Sequence, residues 1–348
     1  MNKFEYSFLK NGLIPANIVN LTVKIASLKP SIEIRKTEHG RFFTELESVA
    51  KIKSVKSSCL LEGITADDER ITDIVSKDSE PLDQNEKELA GYCNAFNKIT
   101  SEYENLGFNK NDILSLHEML FSASGDEFKG RYKTEDNVIL CVDPQGHRNI
   151  CYFPVPASET ESAMEQVELA YNNALNDPDI NPLLLIPCVI MDFLYIHPFD
   201  DGNGRMSRLL SVLLLCKSGY SACKYVSFEE QLYEKKDLYF DSLMRSYAGW
   251  YTKDNSYFPF VENFLSALYK CYKDLDMQIP AFNGKKVTKK ERIESTVLCS
   301  QTPLSKADIC RILPDVSPTT VEAVLGVMVK EGSIKRIGSA RASKYIKV

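Results

Sequence analysis

The stretch "HPFDDGNGRMSR", residues 197–208, comes directly after the apolar run "LLLIPCVIMDFLYI", residues 183–196. The run contains Pro187 and Asp192, is too short to span a bilayer, and reads as a buried helix. The segment after it is polar and turn-rich. Glycines on both sides of Asn203 allow positive φ and let successive backbone N–H groups converge. The next residues, "RMSRLLSVLLL", read as a helix whose free N–H groups and dipole face back into the loop. Gly202, Asn203 and Gly204 with that helix start form an anion nest of the kind that cradles phosphate. Arg205 and Arg208 are three apart, share one helix face, and reach further phosphates. Asp201, just before the nest, is placed to hold Mg2+ with phosphate oxygens and water. His197, ending the apolar helix, is the side chain poised to take a proton near neutral pH. A base, a carboxylate, a nest and two arginines in this order point to transfer of a phosphorus-containing group from a nucleotide to a hydroxyl.

Working outward, helical patterns dominate. "RFFTELESVAKIKSVKSSCLLEG" has apolar residues at helical spacing and stops at Gly63. Residues 64–84 are polar and read as loop-rich. Residues 85–106 and 109–124 read as two more helices, with His117 on the second as a packed histidine. "NVILCVDPQGHRNICYFPVP", residues 137–156, holds two β-rich runs around an Asp-Pro-x-Gly turn and predicts a hairpin. An isolated hairpin is marginal alone, so it packs on the helical body with an edge open to a further strand. From residue 157 helices resume up to about 275. No repeat and no low-complexity segment interrupts them.

The whole chain has 348 residues, 44% hydrophobic and 26% charged, ordinary globular values that suggest two or three domains. A net charge of −6 argues against a whole-chain binder of nucleic acid or anionic membrane. The N-terminus "MNKFEYSFLKNGLIPANIV" lacks a signal-peptide core. Ten cysteines without a C-x-x-C pair predict reduced thiols in a cytoplasmic protein. Cys141, His147 and Cys151 fit no standard zinc spacing. Composition then shifts: residues 284–348 carry 13 Lys and Arg against 6 Asp and Glu, which leaves 29 against 42 in the rest. The tail reads as a helix at about 288–298, a second at 304–313, a third capped by Ser317 with Pro318 at its first position, and a short hairpin. This is the winged helix-turn-helix pattern. Its third helix has an apolar face of Val321, Val324, Leu325, Met328 and Val329. Thr319, Thr320, Glu322 and Lys330 on the other face are thin for phosphate contacts. Basic residues fall on the hairpin, at Lys335, Arg336, Arg341 and Lys344, so DNA and a protein both remain open as partners of the tail.

The 197–208 stretch is similar to the Fic domain, whose signature reads H-x-F-x-[D/E]-G-N-G-R-x-x-R. His197, Phe199, Asp201, Gly202, Asn203, Gly204, Arg205 and Arg208 all match, and the resemblance covers about residues 85–275. It implies a mainly α fold: a Fic-type helical core with a β-hairpin flap, here with a C-terminal winged helix-turn-helix domain. The expected domains are an N-terminal helical region at 1–84, a Fic catalytic core at 85–280 and the winged helix at 285–348. The resemblance implies an AMP transferase using ATP and Mg2+ on a Ser, Thr or Tyr hydroxyl of a target protein. His197 would be the base and Asn203 a further catalytic residue. Asp201 would be the metal ligand, with Gly202, Asn203, Gly204, Arg205 and Arg208 on the phosphates and Phe199 as an apolar anchor. The hairpin at about 137–153 resembles the flap that aligns a target segment. A phosphorylating branch replaces the Gly-Asn-Gly turn, which is retained here.

"SSCLLEG" gains meaning beside that loop. It resembles the family's inhibitory motif, [S/T]-x-x-x-E-[G/N], with Ser58 and Glu62 in place, and implies that Glu62 pairs with Arg208. Glu62 sits in a last helical turn, where the dipole disfavours an anion; a nearby cation resolves that. Tyr239, in "LYEKKDLYFDSLM", is a candidate wall of the adenine site. Two other readings stand beside AMP transfer: removal of AMP from a modified target at the same site, and an ATP-sensing winged-helix transcriptional regulator. A membrane partner is not expected, and a homodimer stays open.

Overall fold

The computed structural model describes residues 4–124, 129–142, 148–252, 254–278, 289–300, 303–313, 316–338 and 343–347. The chain divides into two compact units, residues 1–27 with 47–272 and residues 28–46 with 273–348. The boundary expected near 280–285 falls outside the described residues.

The first unit is helical apart from one hairpin. In chain order it holds α1 (Phe8–Asn11), the start of α2 (Ala16–Glu38), most of α3 (Gly40–Leu61), α4 (Asp68–Lys77), α5 (Gln84–Glu102) and α6 (Lys110–Leu120). The antiparallel hairpin β1 (Ile139–Val142) and β2 (Arg148–Tyr152) comes next; its turn at 143–147, with His147, lies outside the described residues. Then come α7 (Ala157–Leu175), α8 (Pro182–Ile196), α9 (Asn203–Lys217), a 3-10 turn (Ser221–Lys224), α10 (Phe228–Tyr233), α11 (Lys236–Tyr247) and most of α12 (Phe258–Gln278).

Residues 183–196 of α8 are all buried, as a helix apolar on every side must be. Asn181 caps it and Pro182 sits where its missing N–H costs nothing. α7 and α9 pack against it, and α5 packs on α6 and α9. Gly91 makes the α5–α6 approach feasible, because a Cβ there would overlap the Leu120 carbonyl. Within α8, Asp192 is fully buried and accepts from Tyr6 Oη at 2.8 Å, Tyr257 Oη at 2.9 Å and Trp250 Nε1 at 3.1 Å. Burial pushes its carboxyl up to about 7, against the pull of those donors.

α4 corrects the loop-rich expectation for residues 64–84. Ile71, Ile74 and Val75 bury one side, and polar residues on the remaining faces masked the pattern. Cys151 on β2 is disulfide-bonded, which departs from uniformly reduced thiols; seven other described cysteines are free. Among the described residues no helix is long and apolar enough to cross a membrane.

The C-terminal part of the second unit contains α13 (Lys289–Cys299), β3 (Leu304–Ser305), α14 (Lys306–Ile312), α15 (Pro318–Lys330), β4 (Ile334–Ile337) and β5 (Lys344–Lys347). Ile293, Val297, Ile309, Val321, Leu325 and Met328 form the centre of its core. Ser317 caps α15 by accepting the Thr320 N–H at 3.2 Å. The expected hairpin gains a third strand, in the order β3-β5-β4. Val329, expected on the apolar face of α15, is exposed. Lys335, Arg336 and Lys344 are exposed, and Arg341 lies outside the described residues.

Candidate functional site

α8 ends on a residue that is unusual for its backbone. His197 has φ 50° and ψ 62°, the left-handed region that glycine normally fills after a helix. Its N–H bonds Phe193 O at 3.0 Å and closes the helix. The turn swings the chain into Pro198 and Phe199 and leaves the imidazole half-buried. Nδ1 lies 3.1 Å from Leu194 O. A carbonyl only accepts, so Nδ1 carries the proton and Nε2 keeps its lone pair. Burial holds the imidazole down at about 4, with Lys133 nearby acting the same way, so it is neutral at pH 7.

Phe199 is fully buried and stacks on His117, with ring centroids 3.7 Å apart. His117 accepts the Gly130 N–H at Nδ1 (3.0 Å), so its Nε2–H donates to Asp201 O (3.1 Å). Burial lowers its pKa to about 4. His117 is therefore a neutral brace under the loop.

Asn203 is buried, and both ends of its amide are used by Phe199: Oδ1 accepts from Phe199 N at 3.0 Å and Nδ2 donates to Phe199 O at 2.8 Å. These two bonds give the Asn203 side chain a positioning role in the loop, beside the catalytic role expected for it. Gly202 has φ 81°, and a Cβ there would press on Phe121 and Leu120. Both facts require glycine.

Asp201 keeps its carboxylate largely in solvent, with Oδ1 on Gly202 N at 2.6 Å and Oδ2 on Arg205 Nη2 at 3.2 Å. One exposed carboxylate beside a nest fits Mg2+, which takes few protein ligands when phosphates supply the rest. Arg205 is engaged within the chain. Its guanidinium is buried, pairs with Glu88 of α5 at 2.6 Å and lies over the Phe121 ring at 5.0 Å, while Nε has no hydrogen-bond partner. In this state it ties Asp201 to α5 and does not present a free face to phosphate.

Arg208 is also buried, and α3 meets it. Nε donates to Ser58 Oγ at 2.8 Å, and Nη2 donates to Ser58 O at 3.0 Å and to Glu62 Oε1 at 2.7 Å. Burial opposes its charge, but Glu62 and its neighbours outweigh that and hold its pKa above the ordinary value. Glu62 Oε1 also lies over Gly204, where a Cβ would collide with it. Its carboxylate therefore stands at the N-terminal end of α9, where the dipole favours an anion. Behind Arg208, the buried carboxylate of Glu229 accepts from Tyr92 Oη at 3.0 Å and from Ser227 Oγ at 3.3 Å. Ser54, one turn before Ser58, bonds Ser227 Oγ at 2.9 Å.

A cavity of about 780 Å3 opens beside these groups. His197, Gly204, Arg208 and Glu62 line its polar part, and Tyr239, Phe240, Leu243 and Met244 of α11 line its apolar part with β1 residues. The volume suits a nucleotide-sized ligand. Tyr239 is itself buried against Phe240 and Phe260.

Sequence reading missed Glu88, Lys133 and Glu229. His117 carried one signal, its helical spacing with Ile113, Leu116 and Leu120. Lys133 is buried, and desolvation lowers its pKa to about 8.

Residues 107–215 match the model of the Fic/DOC family. A curated relative, the protein adenylyltransferase Fic of Nematostella vectensis, is 29% identical over 112 residues, which are 31% of this chain and 23% of that protein. A solved Fic family protein from Desulfovibrio desulfuricans superposes with TM-score 0.62 at 22% identity and covers 97% of both chains. A Fic domain containing signaling protein from Bacteroides thetaiotaomicron gives 0.56 at 20% identity, covering 79% of this chain and 99% of its own.

Proposed function

We propose that this chain, whose residues 107–215 are a Fic/DOC family domain, transfers AMP from ATP to a Ser, Thr or Tyr hydroxyl of a protein and is held down by its own Glu62. The observation that carries this reading is the position of Glu62. Its carboxylate pairs with Arg208 and overhangs Gly204, in the place an anion nest offers to a phosphate.

The proposed chemistry uses this chain's residues in sequence. His197 Nε2 takes the proton of the acceptor hydroxyl. That oxygen attacks the α-phosphorus, the bond to the bridging oxygen breaks, and pyrophosphate leaves. The nest at 202–204 and Arg208 bind the phosphate chain, and Asn203 and His117 keep the loop in shape. Asp201 would hold Mg2+, which neutralises phosphate charge when bound. Tyr239 and α11 give the adenine an apolar wall. The hairpin presents the acceptor segment along its edge. The basic strands of the tail carry a DNA or protein partner in this reading, and the chain acts in the cytoplasm.

Removal of AMP at the same site is the competing reading, favoured by the partly exposed Glu62 carboxylate beside His197, which suits it to orient water. Wild-type and Glu62→Gly protein incubated with labelled ATP, and separately with a modified target and no ATP, test both. Label incorporated by Glu62→Gly supports transfer. Release of AMP by wild type alone, with no incorporation by either form, sinks it.

A further inference from the structure

We propose that Lys133 and Asn137 are positioning residues that fasten the base of the hairpin to the backbone carbonyls on either side of His197, so that acceptor and base share one frame. The inference rests on the AMP-transfer reading of the site.

A helix end leaves carbonyls without intrahelical partners, and α8 ends at the residue before the base. The segment that leads into β1 supplies donors to them. Lys133 Nζ donates to Ile196 O at 3.2 Å, and Lys133 N donates to Pro198 O at 2.9 Å. These are the carbonyls of the residues immediately before and after His197. Asn137 Nδ2 donates to Phe199 O at 3.2 Å, the same carbonyl that Asn203 holds. Lys133 Nζ also donates to Asn137 Oδ1 at 2.8 Å, which links the two tethers. On the other strand, Tyr152 Oη donates to Leu194 O at 2.9 Å, and that carbonyl also accepts His197 Nδ1–H.

The surroundings explain the choice of a lysine. Lys133 is only 3% exposed, and a buried ammonium is costly unless its donors are met. A helix C-terminus is the backbone site that favours a cation. An amine on a long stem reaches Ile196 O while its own backbone reaches Pro198 O, so one residue clasps both sides of the base. Asn137 stands two residues before β1, so a shift of the hairpin base is felt at Phe199 and through it at Asn203. In-line transfer tolerates little error: misplacement of about 1 Å costs roughly a hundred-fold.

The test uses the full chain carrying Glu62→Gly, with labelled ATP and Mg2+. It measures AMP incorporated into protein, AMP released by transfer to water, and KM for ATP. Asn137→Ala cuts the tether to the hairpin and leaves the Lys133 bond to Ile196 O. It should lower incorporation into protein about ten-fold, with release to water and KM for ATP within two-fold. Lys133→Met should lower both reactions, and Lys133→Arg, which still donates to Ile196 O, should recover at least part of the loss. If Asn137→Ala lowers both reactions in parallel, or lowers neither, the clasp is overturned while the function stands. If Lys133→Met fails to fold, Asn137→Ala with Lys133→Arg still decides. If the Glu62→Gly parent transfers AMP to neither acceptor, the function itself fails and takes the clasp with it.

Discussion

Two helix ends supply the two most consequential side chains of the site, and they are built differently. α3 closes with Gly63 at φ 79°, with Ile64 N on Cys59 O at 3.0 Å and Gly63 N on Leu60 O at 3.1 Å. That is a Schellman motif with glycine in its usual place, and Glu62 is carried on a relaxed turn. α8 closes with one bond, and its left-handed position is given to His197, a residue strained by that conformation. Glu62 is more than a third exposed and pairs with Arg208, whereas His197 has ring and flanking carbonyls tied down. One end is tied down on several sides, while the side chain at the other is held by Arg208 and, in the proposed function, gives way to phosphate. Glu62 also stops being an oddity: the C-terminal end of α3 disfavours it, while the N-terminal end of α9 and Arg208 favour it.

The comparison breaks first, and most widely, at the fixed end. His197→Ala in the Glu62→Gly form should lower AMP transfer by roughly a hundred- to ten-thousand-fold. ATP binding by calorimetry should persist, since the nest and Arg208 are untouched. Transfer within a few-fold of the parent would remove the base role.

At the displaceable end the effect reverses in sign. Releasing Glu62 frees Arg208 from a charge-assisted bond that contributes at most about 1.5–3 kcal/mol, less for its exposure. If the paired state leaves roughly one per cent of molecules competent, Glu62→Gly raises transfer about a hundred-fold. Arg208→Ala should not imitate it, because the phosphate contact is lost together with the lock. Labelled-AMP incorporation at equal Mg-ATP is the readout, and equal incorporation by wild type and Glu62→Gly would leave Glu62 an ordinary helix-end residue.

A smaller effect sharpens the fixed end. His117, fully buried, is held near pKa 4, while in the unfolded chain it takes a proton near 6.5. Between those values the unfolded chain binds a proton that the folded chain refuses, so stability falls as pH falls through that window. The loss is about 1.4 kcal/mol per pH unit for one such group. His117→Gln keeps an N–H for Asp201 O and does not titrate. Its stability deficit relative to wild type should therefore shrink by about 1 kcal/mol between pH 7 and pH 5.5, by urea unfolding. A gap that stays constant would mean that His117 titrates normally in the fold.

The difference between contiguous and distant chemistry explains what the sequence revealed. The 197–208 loop was legible because nest, helix start and carboxylate are neighbours in the chain, and backbone physics acts over a few residues. The reach of α3 to Arg208 was legible only beside that loop. The pairing of Arg205 with Glu88 was not legible because Glu88 is 117 residues away, and spacing gives a face without naming what meets it. The same applies to His117 under Asp201 and to Lys133 around His197. α4 and β3 were missed for local reasons: one has polar residues on most faces, and the other is two residues long.

The smallest effect isolates the strain at the fixed end. A non-glycine residue in the left-handed region costs about 1–2 kcal/mol, and the end of α3 carries no such cost, because Gly63 holds the corresponding place. His197→Ala keeps the Cβ and thus the strain, while His197→Gly removes both. Glycine also gives the unfolded chain more freedom, which returns part of the gain. The glycine form should then be more stable than the alanine form by about 1 kcal/mol, and both should be equally inactive. At Gly63 the sign inverts: Gly63→Ala places a Cβ at φ 79° and should destabilise by a similar amount. Thermal or urea unfolding of the three variants checks this. If His197→Gly is no more stable than His197→Ala, then the turn at the end of α8 is as relaxed as that at the end of α3, and the contrast between the two ends lies in their tethers alone.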